Sequence, residues 1–366
     1  HASRIINGGC GTGTGTGPDP FSYCASNTRM TNTRMTNTRI TMSQNRLASR
    51  HGLTCRILYL TVALLATWVL LPASLDAADS KSSKESGPPE PVDIERTTPD
   101  GVLLAMRYFP GSEGENSIPI VIIHDWEEEG ADYEEVALYL QSKGYAVVVP
   151  DLRGHGDSNR GKTRSRDGKE NITQLTPLKV NKQKIHQDLE TVRSLLVEQN
   201  NEQKLNLHKL CLIGVGDGAV FAMNHAARDW NPAMERRQLI ERGGGKDVRA
   251  LVLISPTIKA GPLSIETLLN NPRARGEISM LIVVGDEKQA LRNAKHIYHR
   301  LKSSHTVDSE DSSKTSLFLK QKETSLQGHK LLTEPELNTQ AMVNAFIELR
   351  LREANSISWE ERNLTN

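Results

Sequence analysis

The feature that most constrains the fold of this 366-residue chain is a series of short apolar runs that alternate with helical patterns. The runs have strand length and are rich in Val, Ile and Leu; they cover 102–108, 118–124, 145–150, 210–214, 248–254, 278–285 and 317–320. Most are almost continuously apolar, which is typical of strands buried on both faces of a parallel sheet. The alternation predicts an α/β domain with a mostly parallel, doubly wound sheet flanked by helices.

The first 92 residues do not follow this pattern. Residues 1–41 contain a Gly-Thr tract and three copies of a five-residue Asn-Thr-Arg motif. Such a low-complexity tract has too few large apolar side chains to form a core, so we expect disorder. We also expect Met42 to be the natural first residue, with residues 1–41 a mis-annotated leader.

Residues 42–77 have the pattern of a secretory signal peptide. Arginines precede an apolar run at 57–71, and small residues follow it. We expect cleavage after Ala77 or Ala78 and export to the periplasm or the cell exterior. The alternative is an uncleaved membrane anchor at 57–71, although a full span usually needs roughly 20 apolar residues.

The remaining boundaries follow from composition. Residues 78–92 are polar and proline-rich, which predicts a linker. The folded domain is then predicted at 93–353, with a C-terminal tail at 354–366. Beyond residue 77, acidic residues outnumber basic ones by four, so a nucleic-acid partner is not expected.

Composition also limits the chemistry of the domain. Cys211 is its only cysteine, so no internal disulfide can form there. His296 and His299 share a predicted helix face but have no third ligand nearby in sequence, so we expect no metal site. No cofactor is predicted.

Several motifs occur in a characteristic order. The segment from Pro119 to Trp126 precedes a helix, and the string Pro150-Asp-Leu-Arg-Gly-His-Gly-Asp-Ser158 follows the next strand. A glycine-rich turn at 213–218, Gly285-Asp286 and Gly328-His329 come later. Together they resemble the α/β-hydrolase superfamily, in particular its lysophospholipase and serine-aminopeptidase branch. Only some 20 residues separate the strands at 248–254 and 278–285, so we expect no large cap domain.

The resemblance implies a nucleophile within a G-x-S-x-G strand-to-helix turn. Here the turn reads Gly214-Val215-Gly216-Asp217-Gly218, and glycine stands at the nucleophile position. Gly216 has no side chain with which to attack a carbonyl carbon, so the usual Ser-His-acid mechanism is not expected.

The other triad positions also depart from the family pattern. Lys288 stands where the acid usually follows its strand, which leaves Asp286 or Glu287 as displaced candidates or as ordinary loop carboxylates. His329 matches the general-base histidine of the family. It is a catalytic candidate, or a hydrogen-bonded loop residue if no nucleophile exists.

The oxyanion loop is altered as well. Relatives carry a His-Gly pair there, whereas this chain reads His124-Asp125-Trp126, followed by three glutamates. A carboxylate at position 125 would repel an oxyanion. The acidic run is interpreted either as a functional acidic entrance to the site or as a solvated loop. These residues and Val215 are the predicted lining of the oxyanion pocket.

A basic stretch lies between Ser158 and the helix near residue 185. Its formal charge is strongly positive, and it is long for a connection between a strand and a helix. We expect a solvated, mobile loop; the alternatives are a flap over the site and a docking segment for an anionic surface.

Three functions are therefore weighed. The first is an exported, non-catalytic α/β-hydrolase-like protein that binds a small-molecule or peptide ligand or a partner. The second is an active hydrolase with a shifted nucleophile, Asp217, although that residue is more readily interpreted as a helix cap. The third and weakest is dinucleotide binding, because Gly214–Ala219 fits G-x-G-x-x-G/A but does not follow the first strand.

Overall fold

The computed structural model describes residues 87–165, 167–231, 245–308, 310–353 and 357–362. The predicted leader, the signal peptide and most of the linker lie outside the described residues.

The strands follow the apolar runs closely. They are β1 (Val92–Thr97), β2 (Val102–Phe109), β3 (Pro119–Ile123), β4 (Ala146–Pro150), β5 (Arg160–Arg164), β6 (Glu170–Gln174), β7 (Leu210–Val215), β8 (Val248–Ile254), β9 (Lys259–Ala260), β10 (Leu263–Ser264), β11 (Ser279–Val284) and β12 (Leu317–Gln321). Each of the seven runs predicted to be strands forms one, which confirms the assignment to within one or two residues at each end.

In the part of the chain that the structure describes, ten strands form one sheet in the order β12-β11-β8-β7-β3-β4-β2-β5-β6, with β1 paired to β2. The six strands from β12 to β4 are parallel, whereas β2 is antiparallel to β4. Chain order reverses at β3, because β4 lies on one side of it and β7 on the other. The carboxyl ends of β3 and β7 therefore meet at a topological switch point, where ligands bind in sheets of this type.

Within the described ranges, eight α-helices connect and cover the strands. They are α1 (Glu134–Gln141), α2 (Ile185–Asn201), α3 (Asp217–Asp229), α4 (Glu266–Leu269), α5 (Ala274–Glu277), α6 (Lys288–Lys302), α7 (Gly328–Thr333) and α8 (Thr339–Ile347). A π-helical turn continues α8 over Glu348–Arg352. The predicted helical patterns near 133–140 and 337–349 correspond to α1 and α8.

Helices lie on both faces of the sheet, as the predicted fold requires. One buried cluster combines side chains of α2, α3 and α6 with one face of the strands. A second cluster combines α1, α7 and α8 with the opposite face. The parallel strands alternate their side chains between the two clusters, which explains why their sequences are continuously apolar. The predicted α/β-hydrolase fold is confirmed.

The region between β8 and β11 holds only the β9–β10 pair and two helices of four residues each. The absence of a large cap at this position agrees with the sequence expectation. The longest insertion instead follows β4, where β5 and β6 form an antiparallel hairpin that extends the sheet beside β2. The stretch expected to be a loop is therefore partly a strand pair.

The string from Pro150 to Ser158 forms a turn held by charged groups. The Arg153 guanidinium is 2.7 Å from a carboxylate oxygen of the fully buried Asp188 on α2. The Asp151 carboxylate accepts hydrogen bonds from the backbone N–H groups of Gly130 and Asp157, at 2.7 and 2.9 Å. These contacts fix the loop after β4 against α2 and against the segment that leads into α1.

The C-terminal segment 357–362 contacts the domain near the start of β7. The Trp359 indole N–H donates to the carbonyl oxygen of Asn200 at 3.1 Å. The Arg362 guanidinium forms an ion pair with the buried Asp247. Within the described ranges, no helix combines the length and the apolar character that a membrane crossing requires. The same residues hold no cluster of three or more His, Cys, Asp or Glu side chains suited to a metal ion.

Candidate functional site

The sharp turn between β7 and α3 keeps the backbone shape of a nucleophile elbow. Gly216 has φ 53° and ψ −117°, a conformation that side-chain-bearing residues rarely adopt. Its N–H donates to the carbonyl oxygen of Ile254 at 3.0 Å. Gly218 allows α3 to approach β3 closely, because a Cβ atom there would collide with the carbonyl oxygen of Ile123. The elbow is intact in shape and lacks only its reactive side chain.

The carboxyl group of Asp125 fills the space in front of the elbow. A Cβ atom added to Gly216 would collide with all three atoms of that carboxyl group. Asp125 follows β3 and Gly216 follows β7, so the two residues meet at the switch point of the sheet. The place that a nucleophile's side chain would occupy is therefore taken by an internal carboxylate.

The same carboxylate occupies the oxyanion-binding position. Asp125 Oδ1 accepts the backbone N–H of Asp217 at 2.8 Å and that of Trp126 at 2.7 Å. In this fold the oxyanion hole is made by the N–H after the nucleophile and an N–H from the loop after the strand equivalent to β3. Both donors are present here, and both bind an oxygen of the protein itself.

His124 holds the backbone of this loop. Its Nε2 accepts the N–H of Leu152 at 2.9 Å, so its Nδ1 carries the proton and donates to the carbonyl oxygen of Asp125 at 2.6 Å. Complete burial lowers the pKa of His124 to about 4, which keeps the ring neutral at ordinary pH. This residue fixes the loop and does not face the elbow as a catalytic group.

The glutamates after Trp126 have separate roles. Glu128 accepts a hydrogen bond from the Tyr133 hydroxyl, and its N–H donates to the Asp125 carbonyl oxygen at 3.1 Å. Glu129 forms a capping box with Asp132 at the helical turn before α1. Burial raises the pKa of Asp125, and its two N–H donors oppose that rise. The acidic run thus supports the loop, and Asp125 alone among these acids reaches the oxyanion position.

Asp217 is held by two side chains. Its Oδ2 is 2.9 Å from the Lys182 ammonium, and its Oδ1 accepts the Thr257 hydroxyl at 2.9 Å. It is the first residue of α3, where Gly216 stands at the N-cap position, and the hydrogen bonds of its carboxylate go to Lys182 and Thr257 and not to the N–H groups of the helix. Because both oxygens are engaged and one is neutralised by a cation, this carboxylate is a poor nucleophile.

Lys182 also covers Trp126. Its Nζ atom lies 4.0 Å from the centre of the Trp126 ring, a cation–π contact. The Trp126 carbonyl oxygen is 2.6 Å from His155 Nε2, within the string that carries the family resemblance. Lys182 lies near the end of the basic stretch after β4, two residues before Lys184, so this part of the stretch is fixed at the site. Sequence reasoning did not single out Lys182, and only its place in that stretch could have indicated it.

His329 does not meet an acid. It lies on α7 with its ring centre 5.2 Å from that of Tyr133, in an edge-on contact. No hydrogen bond or ion pair joins its ring to any residue in the described ranges. Asp286 is exposed and has no bonded side-chain partner there either.

The residues next to Asp286 serve α6. Glu287 caps this helix by accepting the N–H groups of Gln289 and Ala290 at 2.9 and 2.7 Å. Lys288 is exposed in the first turn. Val215 was a predicted pocket residue, but it is fully buried in the core, where its apolar side chain packs with β8 and α7. That placement corrects the prediction.

Another cleft lies away from the elbow. It has a volume of about 570 Å³ and follows the exposed part of β1, β2 and β4, where Asp93, Arg107, Asp151 and Arg160 border it. Neither Gly216 nor His329 lines this cleft. This cleft is therefore separate from the elbow.

Comparison with known proteins adds the following findings. Residues 115–281 match the family described as serine aminopeptidase, S33. The chain is 33% identical over 67 residues to a non-heme chloroperoxidase of Streptomyces lividans, covering 18% of this chain and 23% of that protein. It is 36% identical over 62 residues to a non-heme chloroperoxidase of Burkholderia pyrrocinia, covering 17% and 21%. The chain thus spans less than a quarter of the length of the curated relatives it matches.

Solved structures with a similar fold include esterases. The Pyrococcus furiosus esterase Pf2001 is 18% identical, with a TM-score of 0.47, and the alignment covers 72% of this chain and 93% of that one. The carboxylesterase EstE1 from a metagenomic library is 12% identical, with a TM-score of 0.49, and covers 72% and 90%.

Proposed function

We propose that this chain, a member of the α/β-hydrolase superfamily, is exported and binds a small-molecule or peptide ligand without hydrolysing it. One observation carries the proposal: the Asp125 carboxylate fills both the nucleophile space at Gly216 and the oxyanion position. A substrate carbonyl oxygen cannot enter that position unless the Asp125 side chain leaves it.

The electrostatics of the position oppose acyl transfer. Acyl transfer develops negative charge on the substrate oxygen, and preorganised N–H donors are worth roughly 10²–10³ in rate at this step. Here the Asp125 carboxylate already accepts hydrogen bonds from both N–H groups. A substrate oxyanion would have to compete with it and would be repelled by it.

The remaining catalytic groups support the same proposal. Gly216 offers no nucleophile, and His329 has no acid partner within the described residues. Asp217, the alternative nucleophile, is engaged by Lys182 and Thr257. The nucleophile, the oxyanion position and the acid partner of the histidine are therefore all altered in the described residues, whereas the backbone of the elbow is retained. Export rests on the pattern at 42–77 alone.

Hydrolysis is tested with p-nitrophenyl acetate and butyrate, using the full chain. The proposal expects no release of p-nitrophenol above that of buffer. The matched variant Asp125→Gly opens the oxyanion position without supplying a nucleophile, so it is expected to be equally inactive. Turnover that scales with protein concentration, in either form, would contradict the proposal.

Binding is tested separately by thermal denaturation with short acyl esters and short peptides. A ligand that binds only the folded state raises the midpoint in proportion to its concentration above Kd. The proposal expects a saturable rise with at least one of these ligand classes. If neither ligand class raises the denaturation midpoint at millimolar concentration, the proposal that the chain binds such a ligand is contradicted. The hydrolysis assay is interpreted separately from this result.

A further inference from the structure

A second cavity lies between α2, α3 and the segment that contains β10 and α4. Its volume is about 120 Å³, and it is open on one side. Leu189, Phe221 and Leu263 provide apolar wall, and His225 and Arg228 provide polar groups. Neither Gly216 nor Asp125 borders it, so it is distinct from the elbow.

His225 brings an unpaired polar group to this cavity. It lies on α3 and is 4% exposed. Its Nδ1 is buried without a hydrogen-bond partner, and no bond to either ring nitrogen is present in the described part of the chain. Buried polar atoms are nearly always hydrogen-bonded, so an unpaired one at a cavity wall indicates a missing partner.

Arg228 follows His225 by three residues, which places both on the same face of α3. Its Nε has no partner, and no carboxylate of the described residues forms an ion pair with it. The buried arginines of the domain are different: Arg153 and Arg193 each pair with an aspartate, at 2.7 and 2.6 Å. Within the described residues, Arg228 is therefore a cation at a cavity wall with no ion-pair partner.

The charge of the cavity favours an anion. Among the described residues no Asp or Glu lines it, although acidic residues exceed basic ones in the chain after residue 77. Glu190 on α2, which does not line the cavity, is the acid whose charge acts most on His225. The histidine opposite α3, His186, also borders it. Burial lowers the pKa of His225, so its ring is neutral and offers one N–H donor.

The size of the cavity limits the ligand. An apolar cavity of roughly 150 Å³ holds a benzene molecule. The present volume, about 120 Å³ with one open side, suits an apolar body of about six carbons.

We infer that this cavity binds a small monocarboxylate with an apolar body of about six carbons. The body packs against Leu189 and Phe221, and the carboxylate accepts hydrogen bonds from the Arg228 guanidinium. His225 supplies a further hydrogen bond to the ligand. Arginine suits this role because its planar N–H groups match the two oxygens of a carboxylate. The inference concerns a site separate from the elbow and goes beyond the proposed function.

Titration calorimetry of the full chain with benzoate tests the inference, and benzyl alcohol serves as the neutral ligand with the same ring. Benzoate is expected to bind at least tenfold more tightly than benzyl alcohol. Arg228→Gln is expected to weaken benzoate tenfold or more and to leave benzyl alcohol unchanged, because only the charged contact is lost. Arg292→Gln on α6 is the matched control, since it removes the same charge far along the chain.

A second variant separates this cavity from binding elsewhere. Leu263→Trp fills the cavity and is expected to abolish binding of both ligands, and ring resonances of His225 should shift with benzoate in the parent chain only. Benzoate affinity that is unchanged by both Arg228→Gln and Leu263→Trp overturns the inference. So does the absence of benzoate binding at millimolar concentration.

Discussion

The carboxyl group of Asp125 lies where a side chain on Gly216 would have to be. The two residues are 91 positions apart in the chain, and the parallel pairing of β3 with β7 brings them together. The glycine at position 216 leaves the space that the Asp125 carboxyl group fills, so the two residues form one structural arrangement. Introducing serine at position 216 while Asp125 remains, or glycine at position 125 while Gly216 remains, should therefore not restore hydrolysis.

The first prediction concerns the Gly216→Ser substitution. The new side chain collides with Asp125, and the serine must keep the positive φ of Gly216. We therefore expect a loss of about 2–5 kcal/mol in the free energy of unfolding. Urea denaturation measures it. Gly168→Ser is the matched control, because Gly168 also has a positive φ (85°) but nothing within 4 Å of its Cβ position.

The double variant Asp125→Gly/Gly216→Ser should be less destabilised than the sum of the single variants. The coupling free energy expected for residues in direct contact is about 0.5–3 kcal/mol. Additive effects, with no coupling, would show that the two side chains do not share the same space.

The second prediction concerns the loss of the Asp125 carboxylate. Asp125→Ala leaves the N–H groups of Asp217 and Trp126 without their acceptor, so we expect a destabilisation of about 1–3 kcal/mol. Asp125→Asn keeps an oxygen that can accept them and should cost less. Equal stability of all three proteins in urea would show that water satisfies the two donors as well as the carboxylate does.

The third prediction concerns pH and His124. Its pKa is lowered to about 4 in the folded chain, against an ordinary value of 6.5. The unfolded chain therefore binds an extra proton between pH 6.5 and pH 4, and this residue's contribution of about 3 kcal/mol is present above pH 6.5 and lost as the pH falls towards 4. NMR titration of the ring measures it directly. Protonation of His124 near pH 6.5 in the folded chain would refute the prediction.

The fourth prediction concerns Lys182. Lys182→Met removes the ion pair with Asp217 and the contact with the Trp126 ring, so amide hydrogen exchange should rise in residues 176–184. The expected loss of global stability is about 0.5–2 kcal/mol. Lys179→Met is the control, since Lys179 is exposed and lies in the same segment. Equal exchange in the two variants would mean that Lys182 does not fix this segment to the site.

The fifth prediction concerns export. If residues 42–77 form a cleaved signal peptide, N-terminal sequencing of the native product will begin at Ala78 or Asp79. Retention of residues 57–71 in a membrane fraction would instead support the anchor. A mature product that begins upstream of Met42 would refute both the signal peptide and the expected start.

Much of the fold could be predicted because its strands are apolar on both faces. The run at 118–124 has no polar alternation, and the structure places it near the centre of the sheet as β3. The β5–β6 hairpin was not predicted, because every residue of β6 is exposed and neither strand is an apolar run. The Asp167-Gly168 dipeptide between the two strands was the turn signal that the sequence offered. The pairing of the hairpin depends on the open edge beside β2, which is a tertiary feature.

The site was predictable in identity but not in geometry. Sequence comparison with the family pattern identified Gly216, Asp125 and Lys288 as departures and His329 as a match. It could not show that the Asp125 side chain turns inward to two backbone N–H groups, because a side-chain direction depends on which donors the fold presents. For the same reason, the contact between Lys182 and Asp217 was not foreseen: it joins two segments that are far apart in sequence.

The alternative mechanism, with Asp217 as the nucleophile, requires the carboxylate of Asp217 for any hydrolysis. If hydrolysis of any ester, haloalkane or epoxide is found, Asp217→Asn should abolish it under that mechanism while the fold remains intact. Activity that survives this substitution eliminates Asp217 as the nucleophile.

The most direct test of the central claim is intact-mass spectrometry of the full chain after incubation with a fluorophosphonate. This reagent adds covalently to an activated nucleophile next to a working oxyanion hole. The account predicts an unchanged mass in the parent chain, because Gly216 has no side chain and Asp125 occupies the hole. A stoichiometric mass increase, mapped to any residue near the elbow, would contradict the account.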